Sequence, residues 1–125
     1  MSFSTPDLSD ENPEARALSP ILKNLGGKKA FWGKIETLQC PDDNSFVKEL
    51  FNSEGAGKVL VVDANGISSV ALLGDMIAEA GVKNNWSGIV INGYVRDIDV
   101  LGKLNLGIQA LERCQLGVKR KTKAK

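Results

Sequence analysis

Histidine is absent from the 125 residues. That removes the commonest general base and the usual Ser-His and Cys-His nucleophile arrangements. Acid–base or metal chemistry is therefore left to carboxylates, Lys, Tyr or bound water. Cysteine is nearly absent: Cys40 and Cys114 lie far apart and fit no metal spacing, so both read as reduced structural thiols. Long apolar runs are missing too, and nothing in the sequence has the length of a membrane span. The N-terminal stretch MSFSTPDLSDENPEA carries acids and no basic-then-apolar pattern, so no secretory signal is expected. These absences make a cytoplasmic location the expectation.

What is present suits one soluble domain. Hydrophobic residues make up 42% and charged residues 25%, ordinary values for a globular chain of this length. The net charge is +1 but unevenly spread. Asp7, Asp10, Glu11 and Glu14 face only Arg16 near the start, whereas the end reads KRKTKAK. Such a basic tail could touch nucleic acid or an acidic partner; as a chain terminus it is expected to be solvated and disordered.

Punctuation along the chain alternates strand and helix patterns. Thr5-Pro6-Asp7 looks like a helix start, with Pro6 at the first helical position, and the helix is expected to reach about Ala17 before Ser19-Pro20. After a break at Gly26-Gly27, Ala30 to Leu38 reads as strand. A turn at Cys40-Pro41-Asp42-Asp43-Asn44 leads to Ser45–Phe51, where Phe46, Val47, Leu50 and Phe51 have helical spacing. Lys58–Asp63 holds four apolar β-formers in a row, as a strand buried on both faces requires. Val70–Leu73 is a second apolar run. Met76 to about Asn84 suits a helix with Ile77, Ala80 and Gly81 on one side. Gly88–Ile91 is another buried strand, followed by an expected loop at Asn92-Gly93-Tyr94, a short helix over Ile98–Lys103 and a last strand over Gly107–Leu111. This order predicts an α/β fold.

Ligands of α/β sheets collect at the carboxyl ends of the strands, and two polar clusters fall there. Gly74-Asp75 follows Val70–Leu73 and opens a helix; Arg96-Asp97 follows Gly88–Ile91. Free backbone N–H groups of Met76 and Ile77 at that helix start could hold a carboxylate or phosphate, and Gly74 lets a ligand approach the backbone. Arg96 offers a planar fork that Lys does not match, and Asp97 a hard oxygen for a divalent metal. An alternative reading stays open on these residues alone: Asp75 and Asp97 as N-caps of their own helices, and Arg96 as a surface ion-pair partner of little energetic value.

The string GKVLVVDANGISSVALLGDMIAEAGVKNNWSGIVINGYVRDIDVLGKLNLGIQAL resembles the family that contains the regulator of ribonuclease E activity A (RraA) and the 4-hydroxy-4-methyl-2-oxoglutarate aldolases. The preceding GGKKAFWGKIETLQCPDDNSFVKEL is similar to the same family's N-terminal part, so the resemblance covers roughly residues 5–120. The aldolase branch is marked by an Asp, twenty intervening residues and Arg-Asp, matched by Asp75, residues 76–95 and Arg96-Asp97. Some members have been labelled menaquinone methyltransferases, yet no glycine-rich cofactor motif is present.

The resemblance implies a swivelling-domain-like β/α fold around a central mixed sheet, with a single domain over residues 1–118 and a basic tail over 119–125. It implies a lyase that cleaves 4-hydroxy-4-methyl-2-oxoglutarate or decarboxylates oxaloacetate through a pyruvate enolate. Asp97 would bind the divalent metal, Mg²⁺ or Mn²⁺, mostly through waters. Arg96 would bind the 2-oxo acid and stabilise the enolate. Gly74, Asp75, Met76 and Ile77 would form the substrate-carboxylate loop, and Asp75 would also hold a proton-carrying water. Asp75 and Arg96 are thus the implied catalytic pair. A homotrimer is implied, with sites between subunits, and no membrane or direct nucleic-acid contact. The family's other branch implies instead a non-catalytic inhibitor of a ribonuclease E-type endonuclease. Three departures stand out: Val100 occupies a position where the family usually has an acid, Asp63-Ala64-Asn65-Gly66 replaces a DGGG turn, and the family's C-terminal part is expected to be shortened.

Overall fold

In the computed structural model the described residues are Glu11, 21–39, 43–66 and 70–113. Strand β1 (Lys23–Asn24) is followed by β2 (Ile35–Gln39), helix α1 (Ser45–Phe51), β3 (Val59–Asp63) and β4 (Ala71–Leu73). Helix α2 (Asp75–Lys83), β5 (Gly88–Val95), α3 (Ile98–Leu101) and β6 (Gly107–Arg113) complete the order. The sheet runs β1-β6-β5-β3-β2, with β4 paired to β5. All pairings are parallel except β1 on β6. The α/β class and the mixed sheet are as the sequence predicts. The expected N-terminal helix lies outside the described residues apart from Glu11, as do Cys40, Cys114 and the basic tail.

Register explains why apolar runs became buried strands. Leu60, Ile89 and Ile108 align across β3, β5 and β6, as do Val62, Ile91 and Ala110. These six are at most 1% exposed and join Val47 and Phe51 of α1, Ala78 of α2 and Leu101 of α3 in one core. Removing each large apolar side chain from water contributes about 1.5–3 kcal/mol. The alternate row Val61, Val90 and Gln109 lies on the other face and is only half-buried. The run over Lys58–Asp63 is therefore covered fully on one face alone.

Several boundaries differ from the sequence reading. The strand expected over Ala30–Leu38 is β2, Ile35–Gln39: Gly33 sits against the Gly57 carbonyl, where a Cβ would meet the oxygen at 2.1 Å, and Phe31 turns onto Gly88 and Gly107. On α2 the buried side is Ala78 and Gly81, with Ala80 half-exposed. Gly81 faces the Phe51 ring and Ile77 packs against the core, both on the expected side, with Ala78 added to it. The short helix ends at Leu101 and β6 reaches Arg113.

The most consequential difference concerns Asn92-Gly93-Tyr94, which is strand and not loop. The Asn92 carbonyl accepts the N–H groups of Ala64 (3.2 Å) and Gly66 (3.0 Å), and its side-chain amide donates to Asp63 (3.1 Å). Asn92 thus serves the turn after β3, and the register shifts there. Gly93 follows at a tight approach, since a Cβ would meet Ala64 Cβ at 3.0 Å and Leu72 Cδ1 at 3.1 Å. Tyr94 and Val95 then pair with β4 on one edge and β6 on the other. Strand β5 thereby takes β3 and β4 in succession along one edge. No helix among the described residues is long and apolar enough to cross a membrane.

Candidate functional site

Continuation of β5 to Val95 brings the two polar clusters together. Leu73 ends β4 and Val95 ends β5, and these residues are register partners. The Arg96 N–H donates to the Leu73 carbonyl at 3.0 Å, extending the pairing by one step past the strand ends. Gly74-Asp75 and Arg96-Asp97 therefore leave the sheet side by side, at the carboxyl ends of adjacent parallel strands.

The contacts between them are polar and specific. Asp97 Oδ2 accepts the backbone N–H of Asp75 at 3.1 Å and lies 3.7 Å from Arg96 Nε. Asp75 Oδ1 accepts the N–H of Met76 at 2.7 Å. Gly74, the N-cap of α2, is buried between them, where a Cβ would meet Asp97 Oδ2 at 3.0 Å and Arg96 Nε at 3.1 Å. The Arg96 and Asp97 side chains are 51% and 37% exposed, so the charged ends remain available to a ligand from solvent.

This arrangement revises the two sequence readings of the acids. Asp75 is the first residue of α2 and not its N-cap. Asp97 holds the N-cap position of α3 but makes no side-chain cap there, and its backbone is left-handed (φ 59°, ψ 40°). Its carboxylate instead caps α2, a different helix, by accepting one of the N–H groups that a helix start leaves unpaired. The Met76 N–H, expected to be free for a ligand, is taken by Asp75. Met76 itself points its side chain to solvent, 79% exposed. Val100 is half-buried on α3, and its N–H donates to the Asp97 carbonyl at 3.0 Å.

Among the described residues no group of three or more His, Cys, Asp or Glu could hold a metal ion. Asp97 Oδ2 accepts the Asp75 N–H and approaches the Arg96 guanidinium. A single carboxylate, 37% exposed, fits Mg²⁺, which keeps several waters and commonly takes only one or two carboxylates. A closed, all-protein cage does not fit.

A second polar group lies on the turn after β3, at the Asp63-Ala64-Asn65-Gly66 stretch that departs from the family's DGGG. Asp63 Oδ1 accepts the Asn65 N–H at 2.9 Å and the Asn92 amide. The Asn65 N–H, followed by the Asn92 side chain, holds the Asp63 carboxyl below the usual carboxylate range. The Asp followed by Ala-Asn-Gly was the available signal, since Asp side chains commonly accept an N–H two residues on.

Comparison with known proteins converges on one group. A family model described as RraA-like, Aldolase/RraA, matches residues 5–125. A Pseudomonas paraeruginosa protein named "Putative 4-hydroxy-4-methyl-2-oxoglutarate aldolase" is 51% identical over 112 residues, 89% of this chain and 69% of that protein. The solved structure of the RNA-processing inhibitor RraA from Thermus thermophilis superimposes with a TM-score of 0.85 at 37% identity, over 92% of this chain and 70% of that one. A Geobacillus kaustophilus structure titled S-adenosylmethionine: 2-dimethylmenaquinone methyltransferase gives 0.83 at 33% identity, over 90% and 71% of the respective chains.

Proposed function

The chain belongs to the RraA-like, Aldolase/RraA family, and from that premise we propose that it is a lyase acting on small 2-oxo acids. The reaction is cleavage of 4-hydroxy-4-methyl-2-oxoglutarate to pyruvate, or decarboxylation of oxaloacetate. In both, the electrons of a C–C bond move toward a neighbouring carbonyl and leave pyruvate as its enolate. What carries this reading is the meeting of Arg96 and Asp97 with Gly74-Asp75 at the joined ends of β4 and β5.

Each residue has a separate task. The start of α2, from Gly74 to Ile77, receives the substrate carboxylate on its positive end; because Met76 N–H is already engaged by Asp75, that carboxylate must either displace Asp75 Oδ1 or rely on the remaining groups. Arg96 presents its guanidinium to the 2-oxo acid and stabilises the oxyanion as charge grows there. Asp75, freed or not, holds a water through which the enolate carbon is protonated. Asp97 would hold a divalent cation, Mg²⁺ or Mn²⁺, whose contribution is Lewis-acid polarisation of the carbonyl. A Schiff-base Lys is not required. A homotrimer with sites between subunits belongs to the same proposal.

Purified protein incubated with oxaloacetate and Mg²⁺ tests the reading, with pyruvate followed by a coupled dehydrogenase. Turnover that chelator abolishes and Asp97→Ala removes is the expected result. Absence of metal-dependent pyruvate above the spontaneous background, with the fold intact, overturns it. A second reading, a non-catalytic inhibitor of a ribonuclease E-type endonuclease, is favoured by the likeness to the Thermus inhibitor. Inhibition of such a nuclease by protein lacking lyase turnover would select it.

A further inference from the structure

Gly74 holds the N-cap of α2, a position where Ser, Thr, Asp or Asn would cap the first turn through its own side chain and Gly, though common there, cannot. Its backbone (φ −134°, ψ −170°) is extended and open to any residue, so conformational freedom does not explain a glycine here. Room does. A Cβ at this position would lie 3.0 Å from Asp97 Oδ2, 3.1 Å from Arg96 Nε and 3.4 Å from Arg96 Cγ. All three neighbours are side-chain atoms of the two residues that the proposed chemistry uses. At Gly81 the same test meets a buried ring and at Gly33 a carbonyl, where main chain or core would have to move. At Gly74 the fold could stay and the site would shift.

The cap itself is supplied from elsewhere in the chain. Asp97 Oδ2 accepts the Asp75 N–H across 22 residues of sequence. It does so from a left-handed backbone and without capping its own helix. The same oxygen lies 3.7 Å from Arg96 Nε, so Asp97 meets both the start of α2 and the guanidinium.

We propose that Gly74 is a positioning residue: its missing side chain leaves room for Asp97 to cap α2 through Oδ2 and for Arg96 to lie beside it. This rests on the lyase reading of the site for its functional meaning. The geometry is tested apart from turnover, by the hydrogen exchange and NMR resonance of the Asp75 amide.

The experiment compares the wild type with Gly74→Ala, Asp97→Ala and Asp97→Asn. In Gly74→Ala the Asp75 amide should exchange faster by about tenfold or more, as expected when a local hydrogen bond opens. Far-UV circular dichroism should stay unchanged. Asp97→Ala should lose the same protection, and Asp97→Asn should retain it, because the amide oxygen still accepts. With oxaloacetate and Mg²⁺, a displacement of a few tenths of an ångström should lower kcat by about tenfold while KM changes less. A glycine serving only to admit the substrate carboxylate would instead raise KM at constant kcat. Asp75 protection unaltered in Gly74→Ala overturns the proposal, as does unaltered protection in Asp97→Ala or a rise in KM alone. If Gly74→Ala fails to fold, Asp97→Ala against Asp97→Asn decides. Wild-type protein that lacks turnover yet shows the amide response would overturn the lyase reading and leave the positioning of Arg96 and Asp97 in place.

Discussion

Phe31 lies so close over Gly107 that a Cβ there would meet ring atom Cδ1 at 2.0 Å, and one on the paired residue Gly88 would meet Cδ2 at 2.3 Å. Two glycines side by side in neighbouring strands thus make a seat for one ring. The ring covers the end of a sheet face that elsewhere is only half-buried. Gly107→Ala should destabilise by about 1–3 kcal/mol, the usual range for an overpacked position. Combining it with Phe31→Ala should cost less than the sum of the two changes, with a coupling of about 0.5–3 kcal/mol. Urea unfolding of the four proteins in the cycle measures this. Simple additivity would mean that the ring and the glycine do not share the space.

Gly81 in α2 sets two effects against each other. Replacing a mid-helix glycine by alanine favours the helix by about 0.8–1 kcal/mol. Yet a Cβ at Gly81 would meet Phe51 Cδ2 at 2.4 Å, and Phe51 is fully buried with its ring 5.2 Å from that of Trp86. A ring held on two sides has little room to withdraw, and overpacking of about 1–3 kcal/mol should win. Gly81→Ala is therefore expected to lower the melting temperature despite its better helix propensity. A higher melting temperature would show that Phe51 can move.

Arg96→Lys separates charge from shape. The Arg96–Asp97 pair is well exposed, at 51% and 37%, so its loss should change stability by no more than about 0–1 kcal/mol. Pyruvate formation should nevertheless fall by about 10²–10³-fold, the range seen when one oxyanion donor is removed, because an ammonium lacks the planar fork. Steady-state kinetics beside a melting curve tests both halves. Undiminished turnover in the lysine variant would remove Arg96 from the chemistry.

Much of this architecture is legible in residue order, because local patterns determined it. Val47 and Phe51 at helical spacing gave α1 with the expected ends, Ser45–Phe51, and the apolar runs before Asp63, Gly74 and Asn92 each became strand. What could not be read is what distant residues do to one another. Asn92-Gly93 carries every local sign of a turn, but the turn after β3 occupies the Asn92 carbonyl and amide, and β5 runs on to Val95. The same holds at the site. Spacing placed Asp75 and Asp97 beside their own helices, whereas the cap joins Asp97 to α2 through a contact that depends on β4 and β5 ending together. Two-residue β1 left no periodicity to find.

Acid should weaken the fold through three carboxylates held below their ordinary range. The Ser45 N–H, then the Ser45 hydroxyl, lowers Asp43; the Asn65 N–H, then the Asn92 amide, lowers Asp63; the Lys23 ammonium, then the Arg113 N–H, lowers Glu112. Each folded-state value lies below the unfolded one. The stability each group contributes is thus fully present above the unfolded carboxylate range and is lost as pH falls through the folded value. The urea midpoint should hold steady near neutrality and decline as pH drops through and beneath the usual carboxylate range. Asp63→Asn should flatten that decline, since an amide does not titrate and its oxygen can still accept the Asn65 N–H. Added salt should reduce the Glu112 share more than the Asp63 share, because the Lys23–Glu112 pair is exposed and screened, whereas Asp63 is held by short hydrogen bonds to neutral donors. A midpoint that rises on acidification, or an Asp63→Asn profile superimposable on the wild type, would show that the turn after β3 does not hold its carboxylate in solution as it does in the structure.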